Sequence, residues 1–349
     1  MENSTQLLQD LVSLVAPPGQ EQEATDWLIQ KLSSMGITSK TDAKGSVLVE
    51  IEGDATLPCI LITAHLDEIA LMITKIEPDG KIRVTGLGGS YPWKWGEGEM
   101  EILTSAGGVP AILSFGGIHT NHPASVVEQA RHKPLTWEQT YLFTGLNRES
   151  LHEAKVRPGL RVALARSRRI VREMGEFVCS YFLDDRADIA VWLMALEALN
   201  ANPIPGLPTL VFAATSSEEI GGLGAKFILR DYPADICVAL EIGPKTPEAD
   251  FEIDASPTIW VRDGYAPMEA VDGELLEACC EELQMEPHWQ LLSRGGSDAS
   301  CAAADGLISR PVTLGLPVEN SHGFEIMHRD APKEMTRLLI SYLNKLAST

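Results

Sequence analysis

The sequence predicts an α/β protein: a mostly parallel central sheet flanked by helices, with a small β-rich domain inserted into it. Three observations carry that prediction. Runs that are apolar at every position, such as 210–214 and 236–240, mark strands buried on both faces, as in parallel sheets. Amphipathic helical segments alternate with them. From 73 to 166 the texture changes to short alternating runs punctuated by glycine, and the strand–helix alternation then resumes. The expected division is a main domain of residues 1–72 and 167–349 and an insert of residues 73–166.

The chain has 349 residues, 44% of them hydrophobic, enough for a large core. Its formal charge of −21 argues against nucleic acid and anionic membrane as partners, since both need cationic patches. No apolar run approaches the ~20 residues that span a bilayer. The opening Met1-Glu2-Asn3 lacks the basic and apolar regions of a signal peptide. None of the six cysteines has metal-type spacing. Cys59 and Cys237 fall in strand-like runs and the adjacent Cys279 and Cys280 in a helical one, which reads as reduced thiols in a cytoplasmic protein.

Residues 4–15 form an expected helix with Leu7, Leu8, Leu11, Leu14 and Val15 on one face, stopped by Pro17-Pro18-Gly19. A second, 20–35, presents Ala24, Trp27, Leu28 and Leu32 and ends at Gly36. Strands are expected at 46–51 and 59–63, the latter delivering Ala64-His65-Leu66-Asp67-Glu68. Residues 65 and 67 project to the same side of extended backbone, so Asp67 can orient the His65 imidazole and raise its basicity. The insert shows strands at 81–85, 99–103, 110–113 and 161–165 and one helical stretch at 123–132. Its His119, His122, His132 and His152 are assigned to surface or turns. Tyr91, Trp93 and Trp95 are candidates for a subunit interface, where aromatics are enriched, and Phe115 is assigned to the module's own core.

Beyond the insert, strand 176–183 runs into Asp184-Asp185-Arg186 and an apolar helix over 187–200. Asp184 stands at a strand end, where it could equally cap that helix. Strand 210–214 releases Thr215-Ser216-Ser217 and then Glu218 and Glu219, before Gly221, Gly222 and Gly224 and a helix at 225–230. Neighbouring side chains on extended backbone face opposite sides, so one Glu can hold a metal while the other moves a proton. Strand 236–240 ends at Glu241. Helix 273–283 leads to Arg294-Gly295-Gly296-Ser297-Asp298, and strand 311–314 to Glu319-Asn320-Ser321-His322. Pro332 opens a closing helix with Met335, Leu338, Leu339, Tyr342 and Leu346 inward.

His65, Asp184, the pair Glu218-Glu219, Glu241 and His322 thus share one position, just after an apolar strand, and a parallel sheet brings such strand ends onto one edge. This donor set suits two borderline divalent ions such as zinc, cobalt or manganese. The simplest allocation gives each ion one His and one terminal carboxylate, with one Asp bridging and one Glu left as general base.

The motifs Ala64-His65-Leu66-Asp67-Glu68-Ile69, Leu183-Asp184-Asp185-Arg186, Thr215-Ser216-Ser217-Glu218-Glu219-Ile220-Gly221, Gly296-Ser297-Asp298-Ala299 and Ser321-His322 resemble, in order, those of the M42 dinuclear metallo-aminopeptidases. These are the glutamyl and tetrahedral aminopeptidases, some of which carry the name endoglucanase. The resemblance implies a zinc-peptidase-like main domain and a PDZ-like dimerisation insert. It implies that His65 and Glu241 hold one ion, His322 and Glu219 the other, with Asp184 bridging, Glu218 as general base and Asp67 orienting His65. It further implies peptide substrates with a free amino terminus and a homo-oligomer, a dimer or a dodecamer of six dimers. There are departures. Ala70 replaces a usual Gly, Glu241 a commoner Asp, and Val318-Glu319-Asn320 the usual Arg-Tyr before Ser-His.

Three other readings compete with this one. An M20-like carboxypeptidase or amide deacylase uses a similar metal pair but inserts its extra domain after the Glu-Glu motif. A glycosidase needs carboxylates ~5–9 Å apart across a sugar bond, which adjacent residues do not readily provide. A non-catalytic metal-dependent or scaffold protein would need a blocked pocket, since all ligand positions and the base are present.

Overall fold

The computed structural model describes residues 4–347. An 11-stranded sheet forms the frame. Its centre is four parallel strands, in spatial order Leu210–Thr215, Ile60–His65, Ile236–Pro244 and Arg310–Glu319. These strands are buried almost throughout, which is why their sequences show no alternation. Beyond Leu210–Thr215 the sheet continues antiparallel through Val47–Ile51 and Lys40–Thr41. Beyond Arg310–Glu319 it continues through Glu325–His328, Phe177–Ser180 and Arg172–Met174, again antiparallel. Two antiparallel steps return Phe177–Ser180 to the direction of the central four, so its carboxyl end opens on the same edge as theirs.

Alternate residues of each strand enter different cores. Ile60, Ile62, Leu210 and Phe212 pack with the helices Ser4–Ser13, Gln22–Ser34, Leu183–Ala201, Ala270–Leu283 and Ala331–Leu346. Leu61, Val211 and Ala213 pack on the opposite face with Leu223–Asp231 and Asp298–Ala304. Met335, Leu338, Leu339, Tyr342 and Leu346 of the last helix are buried, as its periodicity predicts.

Six strands, Ala70–Ile76, Ile82–Leu87, Tyr141–Phe143, Gly107–Ser114, Gly98–Thr104 and Arg161–Leu164, close into a small barrel. Ala70–Ile76 and Tyr141–Phe143 were not expected from the sequence, and the helical stretch shortens to Val126–Ala130. His119, His122, His132 and His152 are exposed. Trp95 is a correction: it lies in the barrel core, 1% exposed, edge-to-face with Trp137 and Phe182. The single turn Pro92–Trp95 places residues two apart on different faces, so Trp95 points inward while Trp93, with Tyr91, stays exposed. Phe115 packs against the barrel core.

Further differences concern the main sheet, where Lys40–Thr41, Arg172–Met174 and Glu325–His328 were also not expected. Thr258–Arg262 and His288–Leu291 pair with each other and attach to Arg310–Glu319 off the main path, and neither was expected. Strand Ile236–Pro244 does not end at Glu241; Ile242, Gly243 and Pro244 continue the parallel ladder opposite Leu316, Pro317 and Val318.

Candidate metal centre

The carboxyl edge of the sheet gathers the residues the sequence singles out. His65 is the last residue of its strand, and its backbone N–H donates to Asp185 Oδ2 at 2.6 Å. Nδ1 lies 3.0 Å from the carbonyl oxygen of Asp67 and 3.6 Å from Asp67 Oδ1. A carbonyl can only accept, so Nδ1 donates a proton to it, which turns Nε2, the other ring nitrogen, toward the site. The Asp67 carboxylate has a second task, since it accepts the backbone N–H groups of Glu218 at 2.8 Å and Glu219 at 3.2 Å. That holds the turn after Leu210–Thr215, in which Ser217 adopts a left-handed φ of 56°.

Asp184 and Asp185 fall outside helical torsions, so the regular part of Leu183–Ala201 begins after them and Asp184 is free to reach the site. Its Oδ1 lies 3.0 Å from His65 Nε2, and its Oδ2 lies 3.2 Å from His322 Nε2. One carboxylate thus presents one oxygen to each imidazole. His322 occupies the turn after Arg310–Glu319 with φ 58°, and Glu219 Oε2 is 4.0 Å from its Nε2. Two donor clusters result, each with its atoms within 4.8 Å of one another: His65, Asp184, Asp185 and Glu241, and Asp184, Glu219 and His322. Asp184 belongs to both.

Burial sets the electrostatics. It pushes Glu219 up to about 7 and drives Glu218 and Glu241 well above the usual carboxylate range. Burial would also raise Asp184, but hydrogen bonds from His322 and His65 hold it well below. Burial opposes the imidazolium form of His65 and His322, and the surrounding carboxylates override it and raise both. Glu219 Oε1 is buried with no hydrogen-bond partner. Imidazole nitrogens, crowded carboxylates and an unsatisfied oxygen aimed together fit divalent cations.

Two residues that motif reasoning missed hold this arrangement. Asp185 fixes the His65 backbone as described. Glu325, buried at the start of Glu325–His328, accepts the N–H of Asp184 at 3.1 Å and of His322 at 2.9 Å. A carboxylate three residues after the His was the available signal. Beneath the site, Glu68 is clamped between the buried guanidinium groups of Arg169 and Arg186, and Arg186 also donates to the Leu66 carbonyl. These residues open into a cleft of about 420 Å³ whose lining includes Tyr91, Trp93, Lys94, Tyr265 and Arg294. Among the described residues, no helix is long and apolar enough to cross a membrane.

The molecule is thus a mixed α/β frame with a small barrel insert and a His/carboxylate cluster at the carboxyl edge of its sheet. The chain belongs to the M42 glutamyl aminopeptidase family, whose model matches residues 45–338. It is 24% identical over 354 residues to the putative aminopeptidase YhfE of Bacillus subtilis (strain 168), covering 98% of each chain. Its fold matches that of an aminopeptidase from the archaeon Desulfurococcus kamchatkensis with a TM-score of 0.85 at 23% identity, covering 98% of this chain and 94% of that one. It also matches the Pyrococcus horikoshii TET1 peptidase, which can assemble into a tetrahedron or a large octahedral shell, with a TM-score of 0.82 at 22% identity over 97% and 98% of the two chains.

Proposed function

We propose that this protein is a dinuclear metal-dependent aminopeptidase that removes residues from the free amino terminus of peptides. The observation that carries the reading is the Asp184 carboxylate, with one oxygen 3.0 Å from His65 Nε2 and the other 3.2 Å from His322 Nε2. In this reading His65 and Glu241 hold one ion, His322 and Glu219 hold the other, and Asp184 serves both. Two divalent ions, zinc, cobalt or manganese, supply there a water acidified to a pKa of about 7 and a polarised scissile carbonyl. Glu218, its backbone N–H held by Asp67, would serve as the general base, accepting a proton from the attacking water and returning it to the leaving amine. The neighbouring carboxylates favour the cationic α-amine of a peptide, which makes removal from the amino terminus the natural outcome. Asp67 orients His65, in this geometry chiefly through its carbonyl.

The division into residues 1–72 with 167–349 and an insert of 73–166 belongs to the same reading. The insert is a PDZ-like dimerisation module on a zinc-peptidase-like frame, and the chain forms at least a dimer. A structural relative solved as a dodecamer supports a dodecamer as the larger assembly. Six free cysteines fit a cytoplasmic setting.

The test is hydrolysis of one short peptide with a free and with an acetylated amino terminus, before and after chelation. Cleavage of the free peptide only, lost on chelation and restored by zinc or cobalt, is expected. Equal cleavage of the acetylated peptide would favour a deacylase or endopeptidase instead.

A further inference from the structure

We propose that Glu325 is a positioning residue for the second metal site, a brace that ties the bridging ligand Asp184 to the far histidine His322. The proposal rests on the dinuclear reading above. Oε2 of Glu325 accepts the Asp184 backbone N–H at 3.1 Å and Oε1 accepts that of His322 at 2.9 Å. Its own backbone is fixed, because Glu325 pairs with Ser180 in the antiparallel ladder whose partner strand leads on to Asp184. One buried carboxylate therefore sets the spacing between two chain segments that arrive from different strands.

The two sites depend on this brace unequally. His65 belongs to a central strand, opposite Thr215, and its N–H is held by Asp185, so its position does not need Glu325. His322 lies in a left-handed turn with its side chain 32% exposed, held by Glu325 at the backbone and by the Gly89 carbonyl at Nδ1. Loss of the brace frees the more weakly anchored histidine. Burial pushes the Glu325 carboxyl up to about 8, a strain on the charged form that its two N–H donors counter.

Glu325→Gln keeps the size and removes one of the two acceptors, since an amide nitrogen cannot accept a hydrogen bond. The metal-free wild type and variant are titrated with Co²⁺, following heat and the visible absorption of each bound ion. The wild type should bind two ions. The variant should bind the first within about threefold of wild type and the second ~10–100-fold more weakly, the usual cost of losing an outer-shell partner. First-ion binding reports that the variant is folded. Glu325→Asp, which keeps both acceptors but draws them back by one methylene, should fall between the two and serves if Glu325→Gln does not fold. In a His322→Ala background Glu325→Gln should leave the single remaining affinity within the same about threefold range. A variant that binds both ions as wild type does, or weakens both equally, overturns the brace. A wild type that binds fewer than two ions overturns the dinuclear reading beneath it.

Discussion

The carbonyl oxygen of Gly89 accepts a hydrogen bond from Nδ1 of His322 at 2.7 Å. Gly89 follows the barrel strand Ile82–Leu87, whereas His322 belongs to the main sheet, so the insert reaches into the candidate centre and selects the tautomer of one of its histidines. The approach is close: a Cβ on Gly89 would lie 3.1 Å from His322 Cε1 and Nδ1, so the ring would have to give way by a few tenths of an ångström. At the preceding residue, Gly88, φ is +91° and a Cβ would meet Ile69 and Glu219.

Gly89→Ala should therefore displace the imidazole by a few tenths of an ångström without unfolding the barrel. Second-ion affinity should fall ~10-fold or more while first-ion affinity is kept, by the same outer-shell logic. A metal titration in which both affinities match wild type would contradict this.

Glu218→Gln removes a proton acceptor and leaves the ligand set untouched. Both ions should remain bound, and kcat should fall ~10²–10⁴-fold with KM little changed. Near-wild-type turnover would remove Glu218 from the role of base.

Asp184→Ala should behave differently, because one side chain faces both imidazoles. It should lose both ions or hold them far more weakly, whereas Glu219→Ala should chiefly affect one. Metal analysis showing two ions tightly bound to Asp184→Ala would refute the bridge.

The metal-free protein should become less stable as pH rises. Burial pushes Glu219 up to about 7 and Glu325 up to about 8, both above the usual 4.5. The folded chain therefore holds protons that the unfolded chain has released, and stability falls with pH through that window. His65 and His322, raised by their carboxylate neighbours, contribute in the same direction. Thermal unfolding of the chelated protein should drop by at least about 3 °C between roughly pH 6 and pH 9. Saturating metal should flatten that dependence, because ions displace those protons. A metal-free protein that gains stability over this range would contradict the buried-carboxylate account.

Much of this was legible in the chain. The unbroken apolar runs at 210–214 and 236–240 marked central parallel strands, and the residues after the strands converge on one edge because strand direction is shared. What escaped has identifiable physical causes. The contacts of Glu325 run to backbone N–H groups across a sheet register that spacing alone does not reveal. Trp95 was expected at an interface with Tyr91 and Trp93 because aromatics are enriched there, but a single helical turn points it into the barrel core. His288–Leu291 has only four residues and joins the sheet through Thr258–Arg262, so it carries little local signal.

The most direct measurement is the rate at which metal-free enzyme releases the N-terminal residue of a short peptide as zinc or cobalt is added in known equivalents. The account predicts little activity up to the first equivalent per chain, a rise completed at the second, and none for the same peptide acetylated at its amino terminus. Full activity at one equivalent, or in the continued presence of chelator, would contradict a two-ion centre bridged by Asp184.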